Sequence, residues 1–318
     1  MSGFEPAPVP RFPVELAAPD LAPWIPGNTG IPGFTTAAAA TPGPHVVITA
    51  LMHGNEIGGA IALDRLLREG LRPRRGRLTL GFANLDAFHR FDPAQPTASR
   101  FVDEDMNRVW DPAVLDGARQ SRELARAREI RPILDGADIL LDLHSMLWPS
   151  DPLILSGQSG RGRTLAMALG TPRLVVSDHG HQTGPRLIDY PRFARDDGTA
   201  AACLVEAGQH WREETPAVMR RSVDALLRHT GLAAPVVTPP DPDTTPRCAE
   251  VTVAVTATTS AFAFVSAYRG GDVIPRRNTL IALDGTTEIR TPHDDCLLVM
   301  PSLRASRGHT AVRLARFV

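Results

Sequence analysis

Two histidines and two glutamates follow directly on apolar, strand-like stretches of the sequence: His53, Glu56, His144 and Glu206. Side chains just beyond the carboxyl ends of parallel strands meet at one edge of a sheet. Imidazole nitrogen and carboxylate oxygen are both ligands that Zn²⁺ accepts, and a catalytic zinc site keeps one position open for water. Each of these residues taken alone is also typical of a structural residue that makes an ordinary hydrogen bond. Together at one sheet edge they predict one zinc ion per chain, held by His53, Glu56 and His144.

A short acidic segment, residues 100–108, carries three more side chains that suit such a site. Arg108 offers a guanidinium fork and Asn107 a side-chain amide, which together fit a substrate carboxylate. Asp105 is able to accept a hydrogen bond from the outer ring nitrogen of a ligating histidine and so to fix its orientation. The simpler alternative is a solvated loop with one or two salt bridges. The segment therefore predicts either a substrate clamp or an ordinary acidic loop.

Buried strands that alternate with amphipathic helices are expected to position these side chains. The apolar run 46–52 leads into residues 57–68, where apolar residues recur at helical spacing, and this is how a βαβ unit begins. Further strands are predicted at 78–84, 139–143, 153–155, 174–176 and 201–205, and further helices at 121–134 and 211–229. The alternation favours an α/β fold with a mixed, largely parallel sheet flanked by helices.

Composition divides the chain into a catalytic domain, a linker and a small C-terminal domain. The expected catalytic domain is 1–233; its proline-rich start, 1–44, predicts edge strands and loops, with a turn-rich link over 36–44. Residues 234–246 are typical of a proline-rich linker. Residues 247–318 contain short strands separated by Gly, Asp and Pro turns, and they predict a small all-β domain.

Charge and cysteine content narrow the classes of function. The 318 residues carry a net charge of −1, which gives no broad attraction to nucleic acid or to anionic membranes. No stretch approaches the roughly 20 apolar residues that span a bilayer, and the first residues lack a secretory signal pattern. Three widely spaced cysteines fit a reducing compartment better than a disulfide framework. We therefore expect a cytoplasmic enzyme with a small-molecule substrate, with a homo-oligomer left open.

Four segments in order resemble the succinylglutamate desuccinylase and aspartoacylase family of zinc enzymes, which are relatives of the zinc carboxypeptidases. They are 53–56 (HGNE), 100–108 (RFVDEDMNR), 142–145 (DLHS) and 204–208 (LVEAG). Each segment alone is unspecific, but their order and spacing agree with the family over residues 46–211. The resemblance implies a zinc-carboxypeptidase-like fold, a small C-terminal β domain, and zinc-dependent hydrolysis of an amide bond.

The resemblance also implies a role for each matching residue. The family's zinc ligands match His53, Glu56 and His144. Glu206 matches the carboxylate that activates water and later protonates the leaving amine, and Arg100 matches the arginine that stabilises the oxyanion. Asn107 and Arg108 match the pair that holds the substrate carboxylate. Asp105 matches the acidic partner of the first histidine ligand.

The sequence identifies the type of reaction more closely than it identifies the substrate. The expected substrate is an N-acyl amino acid; the alternatives are a zinc carboxypeptidase acting on a short peptide and a non-catalytic binding protein on the same fold. The presence of all three ligands and of Glu206 argues against the last. In the aspartoacylase branch a further arginine, upstream of the catalytic glutamate, binds a second carboxylate. Arg192 or Arg195 is expected in that role here, the alternative being an ordinary surface charge, and Arg186 is a poorer candidate.

Overall fold

One large β-sheet organises the computed structural model, which describes residues 12–70, 72–180, 183–234 and 245–318. The strands described are β1 (Phe34–Ala38), β2 (His45–Ala50), β3 (Arg77–Phe82), β4 (Ile139–Met146), β5 (Leu153–Leu155), β6 (Leu174–Ser177), β7 (Ala201–Gln209), β8 (Arg247–Thr256), β9 (Phe262–Phe264), β10 (Val273–Ile274), β11 (Leu280–Asp284), β12 (Thr287–Arg290), β13 (Cys296–Val299) and β14 (Thr310–Phe317). Eleven of them form the large sheet, in the order β1-β3-β2-β4-β7-β5-β6-β8-β14-β13-β10.

The centre of this sheet is largely parallel. β3, β2, β4 and β7 are parallel neighbours, as are β5, β6 and β8, whereas β5 and β7 run antiparallel to each other. The pairings at both edges, β1 with β3 and β14 with its neighbours, are antiparallel. Every residue of β2 and of β5 is buried, as expected for strands covered on both faces. The predicted mixed α/β sheet is therefore confirmed.

Helices cover both faces of the sheet. They are α1 (Ile57–Arg68), α2 (Leu85–Phe88), α3 (Pro112–Leu115), α4 (Arg122–Asp135), α5 (Gly160–Leu169), α6 (Pro191–Ala194) and α7 (Thr215–His229), with 3₁₀ turns at Ala22–Trp24, Met106–Arg108 and Leu187–Asp189. α1, α5 and α7 pack on one face through Leu63, Leu165 and Leu226. α4 packs on the other face through Leu124 and Ile130. No helix in the described residues is long and apolar enough to cross a membrane.

The strands after residue 245 contribute to two sheets. β8 lies parallel beside β6 and, with β14, β13 and β10, continues the large sheet. β9, β11 and β12 form a separate three-stranded antiparallel sheet. Residues 235–244, which make up most of the predicted linker, lie outside the described residues. The division into a catalytic domain and a small β domain at 234–246 therefore stays a prediction.

The turn-rich link expected over 36–44 begins later than predicted. β1 extends to Ala38 and pairs antiparallel with β3, with Phe34 opposite Gly81. An edge strand is hydrogen-bonded on one side only, so half-exposed Thr and Ala suffice and no apolar run is needed. Residues 1–11 of the predicted N-terminal region lie outside the described residues.

Candidate active site

The turn between β2 and α1 brings His53 and Glu56 to the carboxyl edge of the sheet. Leu51 leaves the strand with a left-handed φ of 61°. Gly54 then passes so close to a neighbouring segment that a Cβ would lie 2.3 Å from the carbonyl carbon of Ala87. Only glycine fits there. The tight turn holds the two functional side chains next to each other, at 4% and 2% exposure.

His144 joins them from β4, the strand beside β2. Glu56 Oε1 lies 2.7 Å from His53 Nδ1, and Glu56 Oε2 lies 3.1 Å from His144 Nδ1. One ligand atom from each of the three residues lies within 4.8 Å of the other two. The structure therefore brings together the three side chains that the sequence predicted as ligands, in a geometry that fits a single ion.

Each of the two histidines contacts a second carboxylate on the side of the ring that faces away from Glu56. Asp105 Oδ1 is 3.0 Å from His53 Nε2, and Asp142 Oδ2 is 2.8 Å from His144 Nε2. Nδ1 of each ring consequently faces Glu56, while the outer carboxylate fixes the orientation of the ring, as is usual around metal-bound imidazoles. Two imidazole nitrogens and one carboxylate are a donor set that fits Zn²⁺.

The buried charges of this cluster shift one another's pKa values. Burial raises the pKa of Glu56, but His53 and His144 outweigh it and hold that pKa well below its usual range. Burial lowers the pKa of His144, but Asp142 and Glu56 outweigh it and bring that pKa well above its usual value. The carboxylates thus stabilise positive charge between them, whether on a protonated ring or on a bound cation.

Glu206 reaches the same cluster from β7, where it lies opposite His144 in the strand register. Its side chain is buried, and its Oε2 has no hydrogen-bond partner among the described residues. Burial is the main cause that raises the pKa of Glu206 to about 8; His144 opposes this shift and Glu56 adds to it. A carboxyl group that titrates near neutral pH is suited to accepting and then releasing a proton.

Arg100 approaches the cluster from its solvent side. Its Nη2 lies 3.0 Å from Asp105 Oδ2, and its Nη1 lies 3.7 Å from Glu56 Oε1. The side chain remains 36% exposed. Arg100 therefore sits at the opening, held by Asp105, with its guanidinium beside the predicted ligands.

A cavity of about 160 Å³ connects these residues with Asn107 and Arg108. Asn107 Oδ1 accepts a hydrogen bond from Leu187 N at 2.8 Å. Arg108 Nη1 donates to the carbonyl oxygen of Asn107 at 2.6 Å. Burial lowers the pKa of Arg108 to about 10, so the side chain still carries its charge at neutral pH. The predicted pair thus lies in the cavity wall; its role in binding a carboxylate stays a prediction.

The structure does not bring Arg192 or Arg195 to this cavity. Arg192 Nε donates to the carbonyl oxygen of Ala137, which precedes β4 and so lies at the edge of the sheet opposite His144. Arg195 pairs with Asp197 and keeps 67% of its side chain exposed. The expectation that one of them binds a second carboxylate is corrected, because α6 and the residue after it hold both arginines away from the site.

Arg186 and Arg313 line the cavity instead. Arg186 is 1% exposed, and its guanidinium donates to both oxygens of Asp178, at 2.6 and 3.0 Å, and to Asp189. Arg313 projects from β14, with its Nε 3.4 Å from Asp178. Sequence reasoning ranked Arg186 low and passed over Arg313, because no local motif marks a residue that only long-range strand pairing brings to the site.

His210 is a further cavity residue that sequence reasoning did not single out. Its Nδ1 lies 2.8 Å from Ser145 Oγ, and burial lowers its pKa to about 4. The neutral ring therefore makes an uncharged wall beside the ligand cluster. A usable signal was present, since His210 follows Glu206 by four residues, directly after the same strand.

Replacing Arg186 by methionine is expected to destabilise the fold by about 3 kcal/mol, because it leaves the buried Asp178 carboxylate without its main partner. Urea unfolding of the purified protein measures this as a lower transition midpoint. Arg195→Met is the matched control, since its ion pair is at the surface, and we expect no measurable change. Equal midpoints for the Arg186→Met variant and the wild type would contradict a structural role for this ion pair.

Comparisons with known proteins agree with this architecture. The family model of the succinylglutamate desuccinylase/aspartoacylase catalytic domain matches residues 42–230. Succinylglutamate desuccinylase from Vibrio parahaemolyticus is 17% identical with a TM-score of 0.68, covering 90% of this chain and 86% of its own. A succinylglutamate desuccinylase/aspartoacylase from Rhodobacter sphaeroides is 19% identical with a TM-score of 0.66, covering 90% and 94%.

The ectoine utilization protein EutE (DoeB) from Ruegeria pomeroyi, in a product-bound structure, is 16% identical with a TM-score of 0.62, covering 89% of this chain and 88% of its own. At these identities the solved structures establish the fold alone. No curated protein matches the sequence.

Proposed function

This chain belongs to the succinylglutamate desuccinylase/aspartoacylase family, and from that premise we propose that it is a zinc-dependent hydrolase of the amide bond in a small, carboxylate-bearing substrate, an N-acyl amino acid. The observation that carries the proposal is the buried cluster of His53, Glu56 and His144, with the raised-pKa carboxyl of Glu206 beside it. A structural cluster needs no proton-accepting carboxyl next to it, whereas hydrolysis of an amide does.

His53, Glu56 and His144 would hold the ion, and zinc when bound supplies a Lewis acid that polarises a carbonyl oxygen and acidifies water. Glu206 takes a proton from the attacking water and later gives it to the leaving amine nitrogen, since one group serves both steps in turn. Arg100 donates to the carbonyl oxygen as negative charge develops there. Its exposure at the opening leaves its outer N–H groups accessible to a substrate.

The substrate carboxylate pairs with the basic side chains on the far wall of the cavity. Of these, Arg186 already donates to both Asp178 and Asp189, so its charge is compensated within the protein. Arg108 and Arg313 bring positive charge to the same wall. Arg108, supported by Asn107, therefore remains the proposed carboxylate ligand, because its fork geometry suits two parallel hydrogen bonds.

A small ligand is favoured over a polypeptide by the walls of the cavity. Met300, which directly follows β13, and Arg313 of β14 line this cavity of about 160 Å³ together with the predicted ligands. Concave pockets of this kind bury most of a small ligand. Peptidase activity is thus an outcome of the assay rather than a second proposal.

The test is metal content together with release of primary amine from a panel of N-acyl amino acids. The panel includes N-succinylglutamate, N-acetylaspartate and C-terminal dipeptides. We expect about one zinc per chain, as in mononuclear catalytic sites, and chelator-sensitive release from an N-acyl amino acid. Protein that binds no zinc when the metal is added, and that releases no amine, would overturn the proposal in favour of a non-catalytic binding protein.

A further inference from the structure

A second cavity opens directly onto the first. Its volume is about 730 Å³, against about 160 Å³ for the cavity described above. Both are lined by Arg100, Arg108, Leu147, Met300 and Arg313, so these five side chains form the boundary between two connected spaces. We call the smaller space the inner pocket and the larger one the outer chamber.

The inner pocket offers less space than the outer chamber, about 160 Å³ against about 730 Å³. Because the two spaces share five wall residues, a long acyl group or a large amino-acid side chain that extends past those residues enters the outer chamber.

Apolar atoms make up the larger part of the exposed wall of the outer chamber, and the apolar side chains that belong to this chamber alone are Phe101, Met146, Trp148, Pro301 and Ala305. Phe101 is 38% exposed and, with Trp148, places an aromatic ring in the wall of this chamber. Hydroxyl side chains, His309 and the charged Asp105 and Arg304 also line the chamber. The guanidinium groups of Arg100, Arg108 and Arg313, however, stand at the boundary, where the chamber meets the inner pocket.

Met300 supports a binding role for this boundary. Its φ of 51° lies in the left-handed region that side chains rarely adopt. Backbone strain of this kind concentrates at ligand-binding positions. The conformation places a flexible apolar side chain on the walls of both spaces, where methionine adapts to ligands of different shape.

We propose that the outer chamber binds a large, mainly apolar part of the substrate while the inner pocket holds the scissile amide and the carboxylate. The inference rests on the proposed function, since it assigns a place to each part of an N-acyl amino acid. The substrate class is then an N-acyl amino acid with a long aliphatic or aromatic group, attached on the acyl side or on the amino-acid side, rather than a compact dicarboxylic one.

The experiment measures binding without requiring turnover. Zinc-loaded Glu206→Gln protein is titrated by calorimetry with N-acetylglycine, N-octanoylglycine and N-acetyltryptophan, so that the two extended ligands test the acyl side and the amino-acid side separately. Each fully buried methylene strengthens binding roughly fourfold. We therefore expect at least one extended ligand to bind about tenfold or more tightly than N-acetylglycine.

Variants of Phe101 connect that preference to the outer chamber. In the same background, Phe101→Ala is expected to remove most of the preference and Phe101→Leu to retain most of it. Val265→Ala is the matched control, because Val265 is 49% exposed and lines neither space, and it should leave the preference unchanged.

Three outcomes would overturn the inference: both extended ligands binding no more tightly than N-acetylglycine, no binding of any ligand, or a preference that survives Phe101→Ala. The first of these would do so even if the wild type hydrolyses small substrates. Tight, Phe101-dependent binding of an extended ligand without hydrolysis of any panel member would support the chamber and contradict the proposed function instead.

Discussion

Glu206→Gln is expected to lower kcat roughly 10²- to 10⁴-fold while the protein keeps its zinc, because general acid–base catalysis contributes a factor of that size. Glutamine preserves the shape of the side chain but neither accepts nor releases the proton. The ligand cluster lies on other elements, since Glu206 comes from β7 and the ligands come from β4 and the turn after β2. Steady-state amine release and metal content, measured on the same preparation, check both halves of the expectation.

The control for this variant is Glu213→Gln, an exposed glutamate on the loop that follows β7, which should leave both kcat and zinc content unchanged. Loss of zinc together with activity in Glu206→Gln would assign Glu206 to the ligand set instead of the proton transfer. Full activity would remove it from the mechanism altogether.

The same substitution has a pH-dependent effect on the stability of the metal-free protein. Burial raises the pKa of Glu206 to about 8, whereas a carboxyl in the unfolded chain titrates near 4.3. A raised pKa means that the folded state holds the proton more tightly, so stability is greatest below the unfolded pKa and falls as pH rises toward 8. Between these values the loss approaches about 1.4 kcal/mol per pH unit.

Glu206→Gln removes this loss, because the amide does not ionise. In the presence of chelator we expect the variant to exceed the wild type in unfolding free energy at pH 8 and to match it near pH 4. Urea unfolding at the two pH values measures the difference. A gap that is the same at both pH values would show that the fold does not raise the pKa of this carboxyl.

The elements that carry the site were predictable where local pattern alone determines them. The predicted bounds of the helix over 57–68 coincide with α1, because apolar residues recur at helical spacing between the turn at Gly54 and the turn at Gly70. The meeting of the three predicted metal ligands could be foreseen for a related reason. Parallel strands β2 and β4 are neighbours, so residues at or just beyond their carboxyl ends come together.

The two strands that carry Glu206 and His144 extend further than the sequence predicted. The apolar run 201–205 ends before Glu206, yet β7 continues to Gln209. β4 likewise continues past Leu143 to Met146. In both strands the polar residues face the cavity instead of a hydrophobic layer, so the apolar pattern stops although the backbone pairing does not. Residues at a functional site depart from the apolar pattern of a strand in this way because they serve the chemistry of the site and do not pack in the core.

The distribution of arginines was not predictable from local sequence. Arg192 and Arg195 fall in the expected interval before Glu206, but α6 holds them away from the cavity. Arg313 lies more than a hundred residues after Glu206 and reaches the cavity because β14 pairs with β8, which in turn pairs with β6. Pairings at such sequence separation leave no periodic signal, so they become visible only in the folded chain.

His144→Ala is expected to reduce bound zinc from about one per chain to a small fraction, and activity with it, because a three-ligand site that loses an imidazole no longer holds the ion against water.

Asp142→Asn is expected to have a smaller, graded effect. Asp142 contacts His144 Nε2 at 2.8 Å and would orient this ring rather than hold the ion, and losing such a partner weakens metal affinity about 10- to 100-fold. Competition titration against a chelator gives both affinities, and His229→Ala, at the exposed end of α7, controls for loss of a histidine elsewhere.

The order of zinc affinities among the wild type and the two variants distinguishes a metal site from a cluster that only stabilises the fold. If the cluster only stabilises the fold, both substitutions lower the unfolding free energy of the metal-free protein, and zinc affinity is weak from the start and does not follow the series. If the cluster holds the catalytic ion, affinity falls in the order wild type, Asp142→Asn, His144→Ala, and added zinc restores activity to Asp142→Asn but not to His144→Ala. The second pattern is the one we expect, since Asp105 and Asp142 each hold a histidine with Nδ1 turned toward the same carboxylate.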